Sequence, residues 1–201
     1  MSLENKIEDK DSKGFMRKSL KTGYNLGIAG ATTYLSTSLV GMTGVLIGGG
    51  LAAGTFFGHM LKKGRSLGRR IYEAFNDAVT NYSTINTIIY PVNKFWDITS
   101  PLIPGKGLLN AAGKVAYAFT GFNAAFVSMF EGAKYWIKNY LNPVGIVAAI
   151  KDNFYNKSAR ITKVFAPGYS LFALGLTEIG GIPTFAYNAP VAGFANAKYP
   201  V

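Results

Sequence analysis

Forty consecutive residues, Thr22 to Leu61, carry no Lys, Arg, Asp or Glu. The stretch is rich in Gly, Ala, Thr and Ser rather than Leu. Basic clusters bracket it, with Arg17, Lys18 and Lys21 before it and Lys62, Lys63, Arg65, Arg69 and Arg70 after it. A single membrane crossing needs about 20 apolar residues. Forty is too many for one span and suits two short ones. Val40-Gly41-Met42-Thr43-Gly44 supplies the turn, because glycine reaches the backbone angles that a reversal requires. The pattern predicts a transmembrane helical hairpin over residues 22–61, with spans near Tyr24–Leu39 and Val45–Leu61.

Small residues recur every four positions in both spans: Gly23, Gly27 and Ala31 in the first, Gly50, Gly54 and Gly58 in the second. Residues four apart share a helix face. A face of Gly and Ala lets two helix backbones approach closely. Folding at Met42/Thr43 sets Gly27 level with Gly58 and Ala31 level with Gly54. The two stripes are therefore expected to form a glycine zipper. The charges agree with a hairpin. Loops rich in Lys and Arg stay on the cytoplasmic or matrix side, and two crossings put both basic clusters there, against anionic lipid.

The rest of the chain divides around this hairpin. Residues 1–21 form a polar arm that opens with Glu4, Glu8, Asp9 and Asp11, unlike a secretory signal or an acid-poor transit peptide. Residues 62–106 hold a basic loop and an amphipathic helix, Ile71–Tyr90. Ile71, Phe75, Val79, Tyr82, Ile85 and Ile89 follow a helical period there, with Glu73, Asp77, Asn81 and Asn86 on the polar side between them, and Pro91 is expected to end it. Such a helix suits a membrane interface. Residues 107–141 contain an uncharged run, Val115–Phe130, with Lys114 before it and Glu131 after it; Tyr135, Trp136 and Tyr140, mixed with Lys134 and Lys138, form an interface belt at its rim, and the region reads as a third membrane helix. Asn142-Pro143 breaks it. Residues 142–201 hold a polar, basic stretch, Lys151–Lys163, and then an apolar one, Val164–Ala197, interrupted by Pro167, Pro183 and Pro190. They fit a kinked fourth span near Tyr169–Ala186, or an irregular tail draped over neighbouring subunits.

The chemical inventory is thin. The chain has no Cys, which excludes disulfides and thiolate sites. His59 is the one histidine, at the edge of the second span, where a structural polar role is expected. Glu178 lies inside an apolar segment, and buried membrane acids are functional candidates. Gly48-Gly49-Gly50 lacks the Lys-Ser/Thr that completes a phosphate loop. Glu73, Asp77, Asp97, Glu131 and Asp152 show no spacing that groups them into a site. No catalytic, cofactor-binding or metal-ligating residue is expected, and no enzymatic activity or small-molecule substrate. The net charge of +11 points to an anionic membrane surface, with bound anionic phospholipid, rather than to nucleic acid.

The expectation is an all-α integral membrane protein. It comprises the Gly/Ala-rich hairpin, one or two further spans, an interfacial helix and an irregular C-terminal tail. Its membrane would be a mitochondrial inner, prokaryotic cytoplasmic or virion membrane. Its role would be a non-catalytic structural or accessory subunit of a large membrane-embedded assembly, an energy-converting complex or a membrane-containing virion. Its partners would be other membrane subunits and lipids. The alternative is a pore-forming, channel or transport protein using the hairpin and Glu178.

Overall fold

Gly41 reverses the chain at a φ of +62°, a left-handed angle that glycine adopts without steric cost. In the computed structural model, which describes residues 3–176 and 182–198, this turn joins α1 (Leu3–Val40) to α2 (Thr43–Met60). There follow α3 (Leu67–Thr99), a 3-10 turn (Ser100–Leu102), α4 (Gly107–Tyr117), α5 (Asn123–Lys138), α6 (Ile146–Ala173) and α7 (Ile182–Lys198). A π-helical turn, Ala118–Phe122, carries α4 into α5 without a break. The described residues contain no strand, so the all-helical expectation holds.

The membrane expectation does not. Among the described residues no helix is long and apolar enough to cross a membrane. The reasons are in the residues. The N-terminal half of α1 is charged. α2 has only 18 residues, and its Val, Leu, Ile and Phe are diluted by glycines, Thr43, Thr55 and His59. α3 buries Asn76, Thr80, Asn81, Ser83, Thr84 and Asn86. α5 carries Glu131, Lys134 and Lys138. An uncharged stretch is not the same as an apolar one. The integral-membrane class, its hairpin and third spans, and the placement in a mitochondrial, prokaryotic or virion membrane are overturned by this finding; the expected fourth span, 169–186, runs across residues 177–181, which lie outside the described residues.

The hairpin turns where expected, but its helices do not zip together. α2 packs mainly on α7 and α3, and far less on α1. Gly54 and Gly58 do lie against a backbone, that of α7. A Cβ on Gly54 would run into the Pro190 carbonyl, and one on Gly58 would sit 2.8 Å from the Phe194 carbonyl oxygen. Gly193 answers from α7, where a Cβ would strike the Leu51 carbonyl and lie 2.8 Å from the Thr55 nitrogen. On its other side α2 presents Gly48, where a Cβ would lie 3.2 Å from the Tyr82 carbonyl oxygen of α3. In α1, by contrast, Gly23 and Gly27 have no neighbour within 4 Å of a built Cβ, and Ala31 is exposed. Gly50 is half-buried.

α1 is held instead by polar contacts to α3. Asn25 Nδ2 donates to Asn76 Oδ1 at 2.8 Å, and the Thr33 and Tyr82 hydroxyls share a hydrogen bond at 2.8 Å. Several helices also run past their expected ends. α1 includes most of the polar arm, and α3 continues through Pro91 to Thr99. α6 continues through Pro167, and α7 contains Pro190. Proline removes one helical hydrogen bond. Pro91 and Pro167 lie on exposed faces, where water can take the freed carbonyl. The expected interfacial helix is thus the middle of α3, with Ile85 and Ile89 in the core. The described part of the expected irregular tail is α6 and α7. An aromatic cluster fills the centre, with Trp96 and Phe172 at 4.2 Å between ring centroids and Phe122 and Tyr169 at 5.9 Å.

Gly54→Leu is expected to destabilise the fold by about 2–3 kcal/mol, as overpacking does where backbone meets backbone. Gly27→Leu is expected to leave stability nearly unchanged. Urea unfolding of the two variants checks the contrast.

Candidate functional site

One cluster of charged residues joins α2, α3, α5 and α6. His59, in the last turn of α2, is buried and places Nε2 3.0 Å from Asp77 Oδ2 on α3. Asp77 Oδ1 lies 3.0 Å from Lys138 Nζ on α5. Glu131, Lys134 and Lys138 fall at i, i+3 and i+7 and share one face of that helix. Lys157 of α6 donates to Glu131 Oε1 at 2.8 Å, and both side chains are largely buried. The other ring nitrogen of His59, Nδ1, lies 3.4 Å from Lys62 Nζ.

The electrostatics follow from this placement. Burial on its own would raise the Asp77 pKa. The hydrogen bond from His59 and the charges of Lys138 and Lys134 outweigh it and hold the carboxyl well below the usual range. Burial of the Lys134 ammonium, helped by repulsion from Lys157 and Lys138, lowers its pKa to about 7 against partial relief from Glu131 and Asp77. Both acids of the cluster therefore face cations, and the network clamps four helices together. No three His, Cys, Asp or Glu among the described residues are grouped to hold a metal ion.

The basic residues singled out in the sequence divide into two sets. Arg65 and Arg69 both donate to Glu73, Arg69 through Nε at 2.9 Å. These bonds draw the Glu73 carboxyl below its ordinary pKa despite the opposing effect of burial. Arg70 Nη1 donates to the Met60 carbonyl at 2.9 Å, satisfying an orphan acceptor at the end of α2. These three arginines are structural. Arg17, Lys18, Lys21 and Lys63 face solvent. Glu178 lies outside the described residues.

Sequence reasoning found His59 but not its company. The signal was the charge stripe at 131, 134 and 138, read as the rim of a membrane span rather than as a face. It also took Asn81 and Asn86 for the wet side of α3. Both are buried because α1 and α2 cover that side, and Asn81 Nδ2 donates to Thr55 Oγ1 at 2.8 Å. Comparison with known protein families, curated proteins and solved structures gives no match.

Two outcomes test the cluster. Because the Lys134 pKa is lowered from 10.5 to about 7, the unfolded chain binds a proton above pH 7 that the folded chain does not. Stability therefore rises with pH above 7, and urea midpoints between pH 7 and 9.5 are expected to show the rise in the parent and not in Lys134→Met. The depressed Asp77 carboxyl works in the acid range: its contribution is complete above pH 3.8 and is lost as pH falls below that. Separately, Glu131→Gln is expected to cost about 3 kcal/mol by leaving Lys157 unpaired. The double change Glu131→Leu/Lys157→Met recovers most of that loss, measured by the same unfolding assay.

Proposed function

We propose that this chain is a non-catalytic structural subunit of a larger assembly, acting through helix packing and through contacts with partner chains and lipid. One observation carries the reading. The corner between α3 and α4 turns Ile98, Leu102, Leu108 and Leu109 outward, and Leu108 is 90% exposed. Large apolar side chains gathered in the open mark an interaction surface. The charge cluster supports a structural role, since its acids are engaged in holding helices together. Solvent-facing Arg17, Lys18, Lys21 and Lys63 suit the headgroups of anionic lipid. A pore-forming role would need the Gly-rich hairpin free to insert, whereas α2 is gripped between α3 and α7.

The test is the triple substitution Leu102→Ser, Leu108→Ser and Leu109→Ser. Exposed positions cost little, about 0.5 kcal/mol or less each, so the melting temperature is expected to hold. Association is expected to fail. A photo-crosslinking residue at position 98, on the same corner and outside the triple substitution, should join partner chains in cells, and one at exposed Asn156 should not. Crosslinks and assembly size unchanged by the triple substitution would overturn the reading.

A further inference from the structure

The ionic cluster holds more cations than its acids match. Lys62, Lys134, Lys138 and Lys157 share it with Asp77 and Glu131, even with the His59 imidazole left out of the count. Both carboxylates are taken. Asp77 meets His59 Nε2 and Lys138 Nζ at 3.0 Å each, and Glu131 meets Lys157 Nζ at 2.8 Å. Lys62 lies against His59. Lys134 pairs with no carboxylate among the described residues, and its Nζ lies 5.7 Å from the centroid of the Phe130 ring. A ring face is a weak substitute for a counter-ion.

Lys134 is half-buried, on the side of α5 that α3 and α6 cover. The groups around it are Asp77 from α3, Glu131 and Lys138 from its own helix, and Lys157 from α6. The two ammonium groups outweigh the two carboxylates there. An enclosed ammonium with no counter-ion is costly, and giving up its proton removes the cost. With its pKa lowered to about 7, the amine has its lone pair free in neutral solution. Desolvation and a neighbouring cation activate a lysine nucleophile in this way. The surroundings also choose the product. An imine or an amide at Nζ carries no negative charge and leaves the excess of cations unrelieved. A group that ends as an anion turns repulsion from Lys138 and Lys157 into attraction, and three acids then face three cations. It must also be small, because α3 and α6 close over this side of α5.

We propose that Lys134 is a modification site at which Nζ takes up carbon dioxide and becomes a carbamate. The lone pair of the neutral amine attacks the carbon, and an N–C bond forms. One C–O π pair moves onto oxygen, and an N–H proton leaves to water. The product is R–NH–COO⁻, made without an oxidant, a reductant or an activated donor. Lys138 and Lys157 supply the charge that stabilises it. The site does not rest on the subunit role proposed above.

The experiment equilibrates the full chain with carbon-13-labelled carbon dioxide at a fixed dissolved concentration. Triethyloxonium traps carbamates as esters, and mass spectrometry of peptides locates them. Label is expected on Lys134 and not on exposed Lys63 or Lys151. It should rise from about pH 6 to about pH 8.5, because the ammonium form cannot react. Lys138→Gln removes a nearby cation and is expected to cut the labelled fraction about tenfold. Carbon dioxide should also raise the melting temperature of the parent above pH 7, and not that of Lys134→Met, since it reacts at a site only the folded chain forms. The label is read on the parent chain itself, so the outcome does not depend on either variant folding. Absence of label on Lys134 across that pH range, equal labelling of Lys63, or an undiminished label in folded Lys138→Gln would each overturn the proposal.

Discussion

The structure depends on the absence of side chains along two faces of α2. Gly48 lets α3 approach from one side, and Gly54 and Gly58 let α7 approach from the other. A helix with ordinary side chains on both faces would hold its neighbours 8–10 Å away. Here the closeness itself is the stabilising element, through dispersion contacts summed along two seams. It also sets the topology. α7 is joined to α2 across more than a hundred residues, so the central seam closes only after long-range contacts form, which is the slow kind of folding.

Charge occupies the other end of the same arrangement. The seam ends at His59, one residue beyond Gly58, and the ionic cluster begins there. An ion pair as enclosed as Glu131–Lys157, with Glu131 6% exposed, adds little net stability because desolvation offsets attraction. Its effect is on register. Asp77 can satisfy His59 and Lys138 together only at one sliding position of α2, α3 and α5. Glycine seams are smooth and tolerate slippage, and the cluster removes that freedom.

Much of this was legible in the sequence, but unevenly. Gly41 announced the turn, Asn142-Pro143 the break after α5, and the Gly54–Gly58 spacing a close backbone approach. Spacing fixes which face is bare, not which helix comes to it. α7 carries its own four-residue series, Ala189, Gly193 and Ala197, and that series lay within a segment read as irregular because of its prolines. Proline was over-read as a stop at Pro91 and Pro167, where an exposed helix face absorbs the lost bond. The ionic cluster was hidden because its members come from four helices, and only the stripe on α5 is periodic.

The π-helical turn at Ala118–Phe122 has an evolutionary side. Such a turn is a helix that has accepted one extra residue. Deleting a single position within it would leave a regular helix from α4 into α5, and would swing everything before it by about 100°. Leu108 and Leu109 would then point along a different bearing while the aromatic core beyond Phe122 stayed in place. Tyr117 and Phe119, packed against Trp96 and Tyr169, would lose those neighbours, so the extra residue fixes the bearing of the apolar corner as firmly as any contact does.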